Sequence, residues 1–180
     1  MLGESINNSS QRKSTELDLG ENLDTEFCRV ATIDIGTNST HLLIAKVEPK
    51  LNTFSIELAE KSTTRLGERD PDTGELTSIA MNRAFSTLQR FKDLSESYKV
   101  ESLIIAATSA VREAVNGGIF ISEIKKKIGL DVELISGAEE ARLIYLGVLS
   151  GMQFGNKPHL VLDIGGGSTE LILADSSEAR

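Results

Sequence analysis

Three stretches before residue 62 carry strand-like patterns, and the period then changes. Val30-Ala31-Thr32-Ile33-Asp34-Ile35 is a β-branched run ending at a glycine turn, which reads as a strand. His41 to Val47 makes the returning strand of a hairpin, and Phe54 to Lys61 alternates as a third strand. The segment Gly67-Glu68-Arg69-Asp70-Pro71-Asp72-Thr73-Gly74 is turn chemistry and predicts a surface loop. From Thr77, Ala80, Ala84, Leu88, Phe91 and Leu94 recur at helical spacing, predicting an amphipathic helix to about Ser97. Ser102 to Ala107 reads as a short apolar strand of the kind covered on both faces. A further helix ends near Ile128, with Gly129 as its C-cap. Val132 to Ile135 predicts another strand and a helix follows to about Ser150-Gly151. Leu160 to Ile164 then opens a second hairpin.

The order is βββαβαβα followed by a new ββ. Strands alternating with helices predict an α/β layered domain around a mixed sheet. Three hairpin strands followed by β-α crossovers are the pattern of a ribonuclease-H-like half-domain, here with the first hairpin of a second such domain. The expected organisation is a tail over 1–28, a first domain over 29–151 and the start of a second over 152–180. The two hairpins share a phrase. Aligned on Asp34 and Asp163, positions 34–45 and 163–174 match at seven of twelve. In both, a strand ends in an acid, a turn of small residues exposes backbone N–H groups, and Ser or Thr adds hydroxyls. Such turns cradle phosphate oxygens, and the acids suit a hydrated divalent cation beside them. An ordinary tight hairpin would use glycine only for positive φ, and Gly165-Gly166-Gly167 is more glycine than that requires. The chain contains neither G-x-x-x-x-G-K-[ST] nor G-x-G-x-x-G, so nothing supports a P-loop or a dinucleotide fold.

Composition narrows the partners. The 180 residues carry a net charge of −8, which argues against non-specific nucleic-acid binding. Residues 1–28 hold six acids and two bases, a net −4, in a polar stretch expected to be disordered. No apolar run reaches the roughly 18 residues of a membrane span. The first residues lack a basic, then apolar, secretory pattern, so a cytoplasmic location is the expectation. Cys28 is the only cysteine, which excludes an internal disulfide or thiolate cluster and reads as a buried or incidental thiol. His41 and His159 have no second ligand at useful spacing and read as structural or exposed. Lys125-Lys126-Lys127 reads as a solvated helix face, or as a weak polyanion-attracting patch.

Four segments together resemble the exopolyphosphatase and guanosine pentaphosphate phosphatase (Ppx/GppA) family, of the actin, Hsp70 and sugar-kinase superfamily. They are Asp34-Ile-Gly-Thr-Asn-Ser, Thr108-Ser-Ala-Val-Arg-Glu-Ala, Ser136-Gly-Ala-Glu-Glu-Ala-Arg and Asp163-Ile-Gly-Gly-Gly-Ser-Thr-Glu. The resemblance spans about residues 29–176. It implies divalent-cation-dependent (Mg²⁺) hydrolysis of a terminal phosphoanhydride in polyphosphate or guanosine pentaphosphate, with orthophosphate as product. Glu140 matches the family's catalytic base and Arg112 a phosphate-binding arginine; Arg65 matches a position facing the polyphosphate path. The phosphate ligands expected with them are Gly36, Thr37, Asn38, Ser39, Thr108, Ser109, Gly165, Gly166, Gly167 and Ser168. Asp163, with Asp34, is expected to hold the cation. Glu139 has a local reason to exist, because Ser136 with Glu three residues on is a capping box. Glu140 lies about 100° further around the helix and is not explained by the cap.

Two other readings stay open on the sequence alone. One is phosphoryl transfer to an acceptor, as in acetate or sugar kinases. The other is a non-catalytic nucleotide-binding or assembly module. The second hairpin has no third strand or covering helix after it, so the chain is expected to be a piece of a longer protein, for which the resemblance implies a homodimer. Little activity is expected of it alone.

Overall fold

The computed structural model describes residues 27–152 and 157–174. Residues 1–26 of the tail expected over 1–28 lie outside the described residues, as do 153–156 and 175–180 of the second hairpin's flanks, while Cys28 already belongs to the first strand. β1 (Cys28–Ile35) and β2 (Thr40–Glu48) form the first hairpin, and β3 (Thr53–Ser62) extends it antiparallel. α1 (Ser78–Ser97) leads to β4 (Ser102–Ala107), which pairs parallel with β1. A four-residue helix, α2 (Ser109–Arg112), then α3 (Gly117–Ile128), leads to β5 (Glu133–Leu134), parallel to β4. α4 (Gly137–Gly151) connects to the second hairpin, β6 (His159–Ile164) and β7 (Thr169–Ala174), which forms its own two-stranded sheet. The five-stranded order β3-β2-β1-β4-β5, antiparallel on one side and parallel on the other, is the ribonuclease-H-like sheet expected from the element order.

Period-two alternation explains which face is sealed. Ala31, Ile33 and Ile35 of β1, Leu42 and Ile44 of β2, and Ile105 and Ala107 of β4 are buried in one core. Against them lie Ala80, Ala84, Leu88 and Phe91 of α1 and Phe120, Ile124 and Ile128 of α3. Leu94 is partly buried at the edge of the same core. α1 starts where its cap allows: the Thr77 side chain accepts the Ala80 N–H at 3.2 Å. α3 ends at Gly129, which takes φ +79° and donates its N–H to Lys125 O at 3.0 Å.

β4 departs from expectation. Only its Ile105–Ala107 side is fully buried, while Leu103, Ile104 and Ala106 keep partial exposure. The two core helices cover a single face, so an all-apolar strand is not sealed on both. β5 is likewise shorter than its apolar run, with two paired residues. The stripe Ala141, Ile144, Tyr145 and Leu149 of α4 packs with Ile172, Ala174 and Val161 of the second hairpin. Among the described residues no helix is long and apolar enough to cross a membrane.

Candidate active site between the two hairpins

The ends of three strands converge on one cleft. Thr108 N–H donates to Ile35 O at 3.3 Å, and Ile135 N–H donates to Ala107 O at 3.1 Å. The first turn of α2 and the start of α4 therefore sit beside the first hairpin's loop, at the carboxyl ends of parallel strands, where α/β sheets place ligands. The two hairpin loops close alike. Gly36 N–H donates to Ser39 O at 3.1 Å, and Gly165 N–H donates to Ser168 O at 3.0 Å. Among the described residues, the N–H groups of Thr37, Asn38, Gly166 and Gly167 have no protein acceptor. Successive amides of this kind form an anion-binding concavity.

The loops touch, and their glycines serve that contact. Positive φ occurs among the described glycines only at Gly74 and Gly129, so the loop glycines are not required for left-handed turns. A Cβ on Gly166 would lie 2.6 Å from Asn38 Nδ2. One on Gly167 would strike Thr37 Oγ1 and come 2.8 Å from Ser109 Oγ. Close approach of the second loop to the first is what excludes a side chain. Thr37 Oγ1 and Ser109 Oγ share a hydrogen bond at 3.1 Å, which ties α2 to the first loop.

Arg65 enters from the neighbouring segment. Its N–H donates to Asn38 O and that of Gly67 to Thr37 O, both at 2.9 Å. Arg65 takes φ +50°, a left-handed conformation costing a non-glycine residue roughly 1 kcal/mol or more. Arg83 steadies it, donating to Thr64 O at 2.9 Å and to the Glu68 carboxylate at 2.5 Å. Thr37, Asn38, Thr63, Arg65, Gly67, Glu68 and Gly166 line a cleft of about 340 Å³.

Glu140 and Arg112, expected to share the chemistry, meet directly. Arg112 Nη1 donates to Glu140 Oε2 at 3.2 Å and to Ile135 O at 3.0 Å. Their side chains are 15% and 25% exposed. Burial pushes the Glu140 carboxyl up from its ordinary value; the Arg112 bond opposes this, and the charges of Glu170 and Asp34 add to it. Asp34 is solvent-exposed near the end of β1, yet the protein packed beside it still desolvates its carboxyl. The resulting desolvation raises its carboxyl, His41 opposes and Asp163 adds. Carboxylates from both hairpins and α4 thus gather in one place, the charge of Asp163 reaching Asp34 and those of Glu170 and Asp34 reaching Glu140. Such a gathering fits a divalent cation. Among the described residues no three acids or imidazoles stand close enough to ligate an ion together.

The profile of the Ppx/GppA phosphatase family matches residues 43–180. The chain belongs to that family. Among curated Ppx/GppA relatives, the guanosine-5'-triphosphate,3'-diphosphate pyrophosphatase of Photobacterium profundum is 37% identical over 150 residues, which is 83% of this chain and 29% of that protein. Exopolyphosphatase 2 of Mycobacterium tuberculosis is 35% identical over 154 residues, covering 82% of this chain and 48% of the relative. The crystal structure of an exopolyphosphatase from Cytophaga hutchinsonii superposes with a TM-score of 0.78 at 38% identity, over 84% of this chain and 48% of that one. The Ppx/GppA structure from Aquifex aeolicus gives 0.75 at 34% identity, over 86% and 49%. The chain thus spans half or less of the length of these relatives.

Around this cleft, some details differ from the expectation. Ser136 Oγ accepts the Glu139 N–H at 3.2 Å as a cap should. The reciprocal half of the capping box is replaced, because Glu139 pairs with Arg142 through two bonds of 2.7 and 2.8 Å. His41 stands opposite Asp34 in the register and shares a 2.8 Å hydrogen bond with Ser39 Oγ, so it belongs to the site's edge. Glu170 is buried and acts electrostatically on Glu140. The signal for it was present, since it occupies in the second copy the place that His41 holds in the first. Lys125 and Lys127 pair with Asp131 and Glu123 as surface groups of α3. Cys28 is the buried first residue of β1.

Proposed function

We propose that the protein hydrolyses the terminal phosphoanhydride of inorganic polyphosphate or guanosine pentaphosphate and releases orthophosphate. The observation that carries this reading is Glu140. It is a largely buried carboxylate held by Arg112, within electrostatic reach of Asp34 and Glu170, one from each hairpin. The names of the relatives, exopolyphosphatase and guanosine-5'-triphosphate,3'-diphosphate pyrophosphatase, support both substrate classes.

Each group has a role that its position suits. The amides of residues 37, 38, 166 and 167 receive phosphoryl oxygens, with the Ser39, Thr108, Ser109 and Ser168 hydroxyls beside them. Arg65 faces the body of the chain of phosphates and Arg112 its reacting end, each as a planar donor fork. Asp163 and Asp34 hold Mg²⁺ or another divalent cation. When bound, that ion offsets phosphoryl charge and stabilises the charge developing in the transition state. Glu140 takes a proton from a water as its oxygen bonds to the terminal phosphorus. The bridging P–O bond breaks, leaving orthophosphate and a chain shorter by one phosphate.

Calorimetry with tripolyphosphate and Mg²⁺ tests the binding half on the 180-residue chain, and orthophosphate release by a version as long as its relatives tests the chemistry. Glu140→Gln is expected to lower release by about 10²- to 10⁴-fold with binding retained. Unchanged release in that variant removes Glu140 as the base. Absence of tripolyphosphate binding in the unaltered chain removes the phosphate-clamp reading altogether.

A further inference from the structure

Helix α2 is four residues long, too short to hold its place by its own hydrogen bonds. It nevertheless carries Ser109, which meets Thr37 of the first loop, and Arg112, which holds Glu140. Its carbonyls are gripped from outside. The Arg69 guanidinium donates to Ser109 O at 3.4 Å, to Ala110 O at 3.2 Å and to Glu113 O at 3.5 Å. It also pairs with the Glu113 carboxylate at 3.4 Å.

Arg69 is itself anchored. Its N–H donates to Gly67 O at 3.0 Å, and it forms a bridge with Leu76. Leu76 is clasped by Asn116, just beyond α2: Leu76 N–H donates to Asn116 Oδ1 at 2.8 Å, and Asn116 Nδ2 to Leu76 O at 3.1 Å. One end of this segment thus hydrogen-bonds the first phosphate loop through Arg65 and Gly67. The other grips the turn that carries Arg112.

We propose that Arg69 is a positioning residue that fixes α2 against the first loop, and through α2 sets Arg112 for phosphate binding. The inference rests on the phosphate-clamp reading above. A guanidinium suits the task because its fork reaches several carbonyls at once, whereas an ammonium offers a single compact charge.

A double-mutant cycle read by calorimetry with tripolyphosphate and Mg²⁺ tests it. Arg69→Ala is expected to weaken binding about tenfold, and Arg69→Lys by less, as a partial rescue. In an Arg112→Ala background the same Arg69→Ala change is expected to cost less than about twofold, because the group being positioned is gone. An equal loss in both backgrounds overturns the proposal, since a merely structural residue acts additively. Wild-type affinity in Arg69→Ala overturns it as well, while leaving the clamp reading intact. An unaltered chain that does not bind tripolyphosphate overturns both together.

Discussion

Asp34 is the next-to-last residue of β1 and Asp163 of β6, and the hairpins match: each turns through a four-residue loop closed by one N–H···O bond, and each aspartate faces a ladder partner across its hairpin. The surroundings differ. Beneath the first loop, Ile33, Ile35, Leu42 and Ile44 are sealed in a core shared with α1 and α3. In the second hairpin Leu160, Leu162, Ile164, Leu171 and Leu173 are open to water, and only Ile172 and Ala174 on its α4 side are buried apolar residues. Similar loops therefore form on very different supports. Loop shape follows from local register and small residues, whereas stability follows from burial. The partners differ too, His41 facing Asp34 and Glu170 facing Asp163. The second copy thus brings an extra carboxylate where the first brings an imidazole.

The largest effect expected from this contrast is on stability. Ile33→Ala removes a fully buried side chain and should cost about 2–5 kcal/mol in urea unfolding. Leu162→Ala, at a position 53% exposed, should change stability by less than about 0.5 kcal/mol. Comparable losses at the two sites would break the contrast. Next in size is the contact between the loops. Gly167→Ala drives a methyl into Thr37 and Ser109, an overpacking cost of about 1–3 kcal/mol that should weaken tripolyphosphate binding tenfold or more. Gly36→Ala meets Ser39 O at 3.0 Å and Asp34 Oδ2 at 4.0 Å, both within its own hairpin and not across the loops, and should weaken binding less. Equal effects would mean that the loops do not press on each other in solution.

The smallest effect is a shift with pH. A base works when ionised, so a Glu140 carboxyl raised mainly by burial makes orthophosphate release fall, on acidification, at higher pH than an ordinary carboxylate would. Arg112 opposes that rise. Arg112→Gln should therefore move the acidic limb of the rate profile higher still, whereas Glu170→Gln, which removes a like charge, should move it lower. Shifts in the reverse directions would dissociate the limb from Glu140.

Much of the fold was legible because its periods are clean. The Ala80–Phe91 stripe, the helix onset at Thr77, the Gly129 stop and both hairpins follow from spacing and turn chemistry alone. What escaped depends on contacts distant in sequence. That Ile104 and Ala106 stay half-exposed depends on which face the helices cover, and no local pattern records it. Glu139 satisfies the capping-box spacing, yet Arg142 three residues on offers a bidentate partner, and the ion pair took the carboxylate. Glu170 stands in the Asp163–Glu170 motif with no role legible from the sequence, because its influence on Glu140 exists only once α4 meets β7. Arg69 lay inside turn-rich sequence, where a charged residue reads as solvated until its reach to α2 is known.

One more consequence follows from the way α4 is fastened. At its first turn Glu140 is tied through Arg112 to α2, while further along Ala141, Ile144, Tyr145 and Leu149 grip the second hairpin. The helix is a connecting rod between the two jaws. Any widening of the cleft that preserves the apolar grip must carry α4 along and pull on the Arg112–Glu140 bond. Opening the cleft and freeing the Glu140 carboxylate from Arg112 are then a single mechanical coordinate.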